Sequence, residues 1–256
     1  MLKFLFAVSL SALIAQLSPS SAQDFPSCAI TMIAPFAAGG GNDVLARLVA
    51  QPMSDILKQP VIIENVAGGG GMTGGSRVAK AAPDGYTIGL GTVGSHSFGQ
   101  TLYKKPLYDA ANDFAPVAMI ADQPLLLTVR KDMPANNLPE FIAYARANPG
   151  KLAYGSNGIG GTYHLEMELM RQRFNIDVIH VAYKSGVDAL LAAATNTLPI
   201  AYAPCSSAQP HLRSGKVKII GVLYPKRLGV LPNTPTVAEK LPAFRSQGSW
   251  IAAYGP

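Results

Sequence analysis

Only two cysteines, Cys28 and Cys205, occur in 256 residues, so no disulfide framework can organise this chain. They fall in what read as different lobes, and free thiols are expected; the alternative is a partner for Cys28 in a continuation beyond residue 256. Charge is also scarce. Asp, Glu, Lys and Arg make up 14% of the residues, against about a quarter in ordinary soluble proteins. There is no run of lysines and arginines and no basic stripe interleaved with aromatics, which argues against a nucleic-acid partner. Long apolar runs are missing too: Phe4 to Leu17 is too short for a spanning helix, and nothing after it reaches the length a bilayer demands. No P-loop, G-x-S-x-G elbow or H-E-x-x-H pair is present. No cofactor and no metal are expected.

What the chain does have begins at its N-terminus. Met1-Leu2-Lys3 is a short positive start, the apolar run follows, and Ser20-Ser21-Ala22 supplies the small residues of a cleavage site. Residues 1–22 therefore read as a signal peptide, with export to the periplasm. Cys28 lacks a lipobox. The formal charge of +6 becomes +5 (6 − 1) when Lys3 is lost, because residues 1–22 hold no acid. A mild positive excess suits anionic solutes.

From Ile30 onward strands and helices alternate, the mark of α/β folds with mostly parallel sheets. The first series runs through a strand at 30–34, a helix at 44–57, a strand at 61–64, a helix at 73–81 and a strand at 86–90. An apolar strand at 123–131 follows. Asn137 then caps a helix that carries Pro139 in its first turn and stops at Asn148-Pro149-Gly150. A second series comprises strands at 151–154, 178–181, 199–203 and 218–222, with helices at 162–174, 186–195 and 206–213. The reading is two α/β lobes: residues 23–122 with 226–256, and residues 123–225. Crossovers are expected near 120–125 and 222–228. Ser249 to Tyr254 looks like one more strand, and a parallel strand needs cover on both faces, so the natural chain is expected to continue past Pro256.

The most informative segment is Pro35-Phe36-Ala37-Ala38-Gly39-Gly40-Gly41-Asn42-Asp43. It joins a strand to a helix N-terminus, where unpaired backbone N–H groups make an anion site. Gly155-Ser156-Asn157-Gly158-Ile159-Gly160-Gly161 repeats the arrangement ahead of Thr162. Two such loops suggest one ligand held from both sides. Gly68 to Gly75 reads as a further tight turn at the crevice. Gly89-Leu90-Gly91-Thr92-Val93-Gly94 matches G-x-G-x-x-G after a strand, but no ribose-binding acid follows at the right spacing, and Ser95 to Tyr103 shows no helical stripe. A close-packed turn is the better reading. His164 sits one turn into the helix after the second loop and either touches the anion or packs. His164 and Glu168 without a third ligand make a poor metal site. Asn42 or Asp43 is expected to cap the first helix.

Several further segments carry a resemblance over almost the whole mature chain. They include Pro35-Phe36 with Gly39-Gly40-Gly41 and Asp43, Glu64-Asn65 with Gly69-Gly70-Gly71 and Gly74, Ala82-Pro83-Asp84-Gly85-Tyr86-Thr87, and Asp113-Phe114-Ala115-Pro116-Val117. After these come Pro149-Gly150-Lys151-Leu152, Tyr154-Gly155-Ser156, His164-Leu165, His180-Val181, Tyr183-Lys184 and Pro235-Thr236-Val237-Ala238-Glu239. In this order they resemble the Bug family, the extracytoplasmic solute receptors of tripartite tricarboxylate transporters. The resemblance implies a type II periplasmic-binding fold whose two lobes close on a small carboxylate. It also implies integral-membrane transporter subunits as partners and no catalysis, and a monomer is expected. The candidate ligand-binding residues are Phe36, Ala38, Gly39, Gly40, Asn42, Asp43, Gly70, Thr92, Ser156, Asn157, Gly160, Thr162, His164 and Ser206. Ala38, Ser185 and the segment Thr197-Leu198-Pro199-Ile200 depart from the family pattern. Two other readings stay open: an exported sensor component for the same solute class, and a serine-dependent hydrolase using Ser156 with His164 as base.

Overall fold

The computed structural model describes residues 24–256 apart from 243, 245 and 247, so the expected signal peptide lies outside the described residues. The fold is two α/β lobes, each built on a five-stranded sheet. The first sheet has the order β2-β1-β3-β10-β4, from β1 (Ile30–Ala34), β2 (Val61–Asn65), β3 (Thr87–Thr92), β4 (Ala115–Gln123) and β10 (Ser249–Gly255). β1 runs parallel to both β2 and β3. Parallel neighbours need a crossover, supplied here by α1 (Gly41–Leu57) and α2 (Met72–Ala79).

The second sheet is ordered β7-β6-β8-β5-β9, from β5 (Leu125–Arg130), β6 (Leu152–Ser156), β7 (Val178–Ala182), β8 (Ile200–Pro204) and β9 (Val217–Leu223). Strand β6 is parallel to β7 and β8, whereas β5 is antiparallel to β8 and β9. Three helices cross over within this lobe: α5 (Thr162–Phe174), α6 (Gly186–Ala194) and α7 (Cys205–Arg213). Another, α4 (Leu138–Ala147), starts as the sequence predicts: the Asn137 side chain accepts from the Glu140 N–H at 3.0 Å, with a proline in the first turn.

Four features differ from the sequence expectation. Strand β4 has no counterpart in the sequence pattern; Val117 and Met119 on it are 63% and 64% exposed, and its register against β10 shifts twice, so it lacks the alternation that marks a half-buried strand. Residues 94–98 form a π-turn and residues 99–102 a short helix, α3 (Gly99–Leu102), where the sequence predicts no helix. A second short helix, α8 (Val237–Lys240), is fixed by a capping box between Thr236 and Glu239. Finally, β10 enters the first sheet antiparallel to β3 and β4, so that sheet is mixed.

The chain leaves the first sheet at Gln123 and enters the second at Leu125. On the return, Val237 and Phe244 are fully buried in the core of the second sheet, and pairing with the first resumes only at Ser249. Gly248 has φ +73°, and a side chain there would lie 3.1 Å from the Gln123 carbonyl, so the two crossovers sit side by side. Both faces of the second sheet are packed, one around Phe141, Met167, Met170 and Tyr202 and the other around Leu126, Leu190, Ala201 and Val222. The first sheet packs a smaller group around Met32, Ala34, Ala46, Leu90 and Ile251. Both thiols are free, Cys28 exposed and Cys205 half-buried.

Candidate functional site

The loop after β1 turns on a buried carboxylate. Asp43 is only 4% exposed; one of its oxygens accepts from the Gly39 N–H at 2.9 Å and from Arg47 Nε at 3.1 Å, the other from Asn65 Nδ2 at 3.0 Å. Asn65 also donates to the Phe36 carbonyl, tying the loop to the end of β2. Burial opposes the charged form of Asp43, but the bonds from Arg47, Gly39 and Asn65 outweigh it and hold the carboxyl below its ordinary range. Helix α1 has Gly40 as its N-cap and no side-chain cap. Neither Asn42 nor Asp43 caps it, contrary to expectation, so the first-turn N–H groups remain open.

The loop after β6 is held by neutral groups. Ser156 Oγ lies 2.6 Å from His180 Nε2 and accepts from the Gly158 N–H at 3.1 Å. His164 Nδ1 accepts from the Gly160 N–H at 3.2 Å, and the two imidazoles pack at 4.2 Å between centroids. Burial, helped by the neighbouring His164, depresses His180 to about 4; burial also lowers His164. The alternative reading that pairs Ser156 with His164 as base does not match this geometry: the serine is fully buried and bonded to His180 of the neighbouring strand β7 and to the Gly158 N–H of its own turn. Helix α5 has Gly161 as its N-cap and also lacks a side-chain cap.

These loops face each other across a cavity between the lobes. Gly41 and Asn42 reach it from the start of α1, Thr162 and Tyr163 from α5, Gly186 and Val187 from α6, and Pro204 from the N-cap of α7. Four helix N-termini thus point at one small volume, and only α6 carries a side-chain cap, from Ser185. Each helix start bears about half a positive charge. No ionised side chain lines the cavity among the described residues. Asn42 and Asn157, one from each lobe, also line it, and each has a buried amide oxygen with no partner. The cavity measures about 20 Å³, roughly the space of one water, so anything larger enters only when the lobes part.

Of the expected ligand residues, Phe36, Gly40, Asn42, Thr92, Asn157 and Thr162 are brought together on this cavity. The others lie off it. Asp43 and Ser156 are committed to shaping their loops, Gly39, Gly160 and His164 take part in the same internal bonds, and Ala38 and Ser206 are exposed. Gly70 forms part of the contact between lobes: its φ is +63°, and a side chain would lie 2.7 Å from the Gly161 nitrogen. Beside it, Tyr103 Oη donates to the Gly69 carbonyl at 3.2 Å and to the Ile159 carbonyl at 3.1 Å, one from each lobe.

The lining also includes Gly41, Gln123, Tyr163, Ser185, Gly186, Val187, Pro204 and Ser249, which the sequence reading does not place among the ligand residues. A signal exists for some of them. Ser185 precedes Gly186 and Asp188 in an N-cap pattern, which marks a third helix start. Among the described residues, no group of three His, Cys, Asp or Glu side chains could hold a metal ion, and no helix is long and apolar enough to cross a membrane.

Comparison with known proteins bears on this geometry. Residues 45–256 match the family described as "Tripartite tricarboxylate transporter family receptor". A UPF0065 protein of Bordetella pertussis is 40% identical over 245 residues, covering 96% of this chain and 76% of its own length. The periplasmic binding protein BugD is 32% identical with a TM-score of 0.86, covering 91% of this chain and 77% of that one. MatC of Rhodopseudomonas palustris, solved with bound malate, is 35% identical with a TM-score of 0.86, over 91% of this chain and 79% of that one.

Proposed function

The chain belongs to the tripartite tricarboxylate transporter receptor family, and from that premise we propose that it captures a small carboxylate in the cleft between its lobes and delivers it to the membrane subunits of such a transporter. It is a solute-binding receptor like its relatives, so no bond-breaking chemistry is required of it. The observation that carries the reading is the convergence of four helix N-termini on one cavity that no charged side chain lines among the described residues, with the Asn42 and Asn157 amides beside them. A carboxylate there accepts N–H groups aligned with helix dipoles and amide N–H donors from Asn42 and Asn157. A site of this kind neutralises charge without the bidentate clamp of an arginine. The malate held by MatC supports a carboxylate as the ligand class.

Binding proceeds by hinge closure. The adjacent crossovers at Gln123–Leu125 and Gly248 are the natural axis, with residues through Phe244 moving with the second lobe. In the open form the helix starts of α1 and of α5, α6 and α7 separate and are hydrated; the anion draws them together. Closing expels water, which strengthens each remaining hydrogen bond. The closed shape, bridged at Gly70 and Tyr103, is the surface offered to the transporter.

Titration calorimetry of the mature protein with malate and a panel of small carboxylates tests the reading. At least one ligand is expected to bind saturably. Asn42→Ala and Asn157→Ala should each weaken it by about tenfold or more, the worth of a hydrogen bond to a charged group. Failure of every carboxylate to bind the folded protein, or binding indifferent to both substitutions, would overturn the assignment.

A further inference from the structure

A second cavity, of about 610 Å³, lies beside the first and shares Ser249 with it. Its walls are largely apolar and aromatic, with Phe98, Leu165, Leu169 and Trp250 among them. Its only ionisable side chains apart from Tyr224 are the carboxylates of Glu166 and Asp122, and no Lys, Arg or His faces it among the described residues. Asp122 is engaged at the exposed rim by the Tyr224 hydroxyl at 3.1 Å. Glu166 is different. One of its oxygens accepts from Ser246 Oγ at 2.6 Å; the other is buried and has no partner among the described residues. Buried acceptors are ordinarily satisfied, and one that is not calls for a reason.

Helix α5 connects this carboxylate to the anion site. Thr162 faces the first cavity and Glu166 stands four residues further along, on the same helical face and about 6 Å along the axis. A solute whose carboxylate sits at the helix N-termini therefore extends past Ser249 towards Glu166, with its apolar body against Leu165 and Leu169. The group arriving at Glu166 meets an acceptor with no donor, aromatic rings nearby and a field set by two carboxylates. These favour a cationic donor over an anion or a hydroxyl.

We propose that the side cavity receives the distal end of the solute and that this end is an ammonium group donating to Glu166. The solute class is accordingly a small amino-carboxylate whose two ends are separated by three or four methylene groups, the length of one helical turn. This rests on the carboxylate-receptor reading and sharpens it. Burial, partly offset by the Ser246 hydroxyl, pushes the Glu166 carboxyl up to about 7; an ammonium would return it to the charged form.

Titration calorimetry of the mature protein against four probes tests this: butyrate, 4-aminobutyrate, 5-aminovalerate and glutarate. One of the two amino acids should bind at least about tenfold more tightly than butyrate and than glutarate. E166Q, which keeps the contact with Ser246, should reduce the ratio of amino-carboxylate to butyrate affinity by about tenfold, with its melting temperature followed as a check on folding. Glutarate binding as well as the amino acids, or an E166Q ratio equal to that of the parent, overturns the ammonium assignment while leaving the receptor reading intact. If none of the four binds and the wider carboxylate panel also fails, the receptor reading falls and takes this one with it. The ranking on the parent protein decides the matter even if E166Q does not fold.

Discussion

The two loops that face each other across the cleft do the same work by different chemistry. Each ends a parallel strand and opens a helix without a side-chain cap. The loop after β1 is shaped by an ion, Asp43, whose oxygens are engaged by Gly39, Asn65 and Arg47. The loop after β6 is shaped by a hydroxyl and two imidazoles, Ser156, His180 and His164. Both devices leave the helix N–H groups pointing into the cavity by bonding other parts of the turn. A negative charge in the second loop as well would place two fixed anions beside a site meant for a third. A neutral scaffold on one side and an externally compensated carboxylate on the other avoid that repulsion.

The widest break in the comparison comes from Asp43→Ala. Arg47 is more than half exposed, so its ion pair contributes little. The cost arises from the Gly39 N–H and the Asn65 amide, which lose their acceptor inside the protein. A loss of about 2–3 kcal/mol of folding stability is expected in urea denaturation, with ligand affinity down by more than tenfold. Ser156→Ala removes a neutral group and should cost about 1 kcal/mol. Equal costs for the two would mean that the charge on Asp43 does nothing a hydroxyl cannot.

Acid sharpens the same contrast. His180 is depressed to about 4 in the folded protein from an ordinary 6.5, so its contribution is complete above pH 6.5 and is lost as the pH falls through about 4. Asp43, held below its ordinary 3.8, keeps its contribution until the medium is more acid still. Between pH 7 and pH 4.5 the second loop should loosen while the first does not. Hydrogen exchange, corrected for intrinsic rate, should show protection at Gly158 and Gly160 falling by several-fold and protection at Gly39 unchanged. A local readout is needed because Glu166, raised to about 7 by burial, acts in the opposite sense: its contribution is present at low pH and fades as pH rises through 7. Parallel loss in both loops would contradict the assignment of their scaffolds.

These scaffolds are only half legible in the sequence. The strand-glycine-helix pairs stand out because apolar runs precede glycine clusters at both places, and such turns can be read locally. The partners that hold them come from neighbouring strands. Asn65 reaches the first loop because β2 aligns it with Ala34, and His180 reaches the second because β7 sets it opposite Tyr154. Register of that kind is fixed by long-range pairing, which no local pattern records. The helix start at Gly186 reads as a helix but not as part of the site, since no glycine-rich turn precedes it, and the start at Pro204 enters the sequence reading only through Ser206, which is exposed and off the cavity. Strand β4 escapes a sequence reading for another reason, its exposed apolar residues and broken register giving no alternation to detect.

The smallest expected effect concerns the place where the two loops meet. Tyr103 stands in the first lobe and its single hydroxyl proton is shared between the Gly69 carbonyl of its own lobe and the Ile159 carbonyl of the other. A shared proton in a solvent-exposed position contributes little in the folded protein alone, well under about 1 kcal/mol. Its value lies in the difference between open and closed forms, because only closure brings Ile159 within reach. Tyr103→Phe removes the hydroxyl while keeping the ring beside Gly160. Stopped-flow measurements should then show ligand dissociation about two- to fivefold faster with association unchanged, as expected when a contact forms after encounter, and a melting temperature within about 1 °C of the parent. An unchanged dissociation rate would leave the backbone approach at Gly70 as the contact that holds the loops together. In that case the closed state depends on shape where the two chains of hydrogen bonds touch, and the chemical difference between the loops ends at their outer edge.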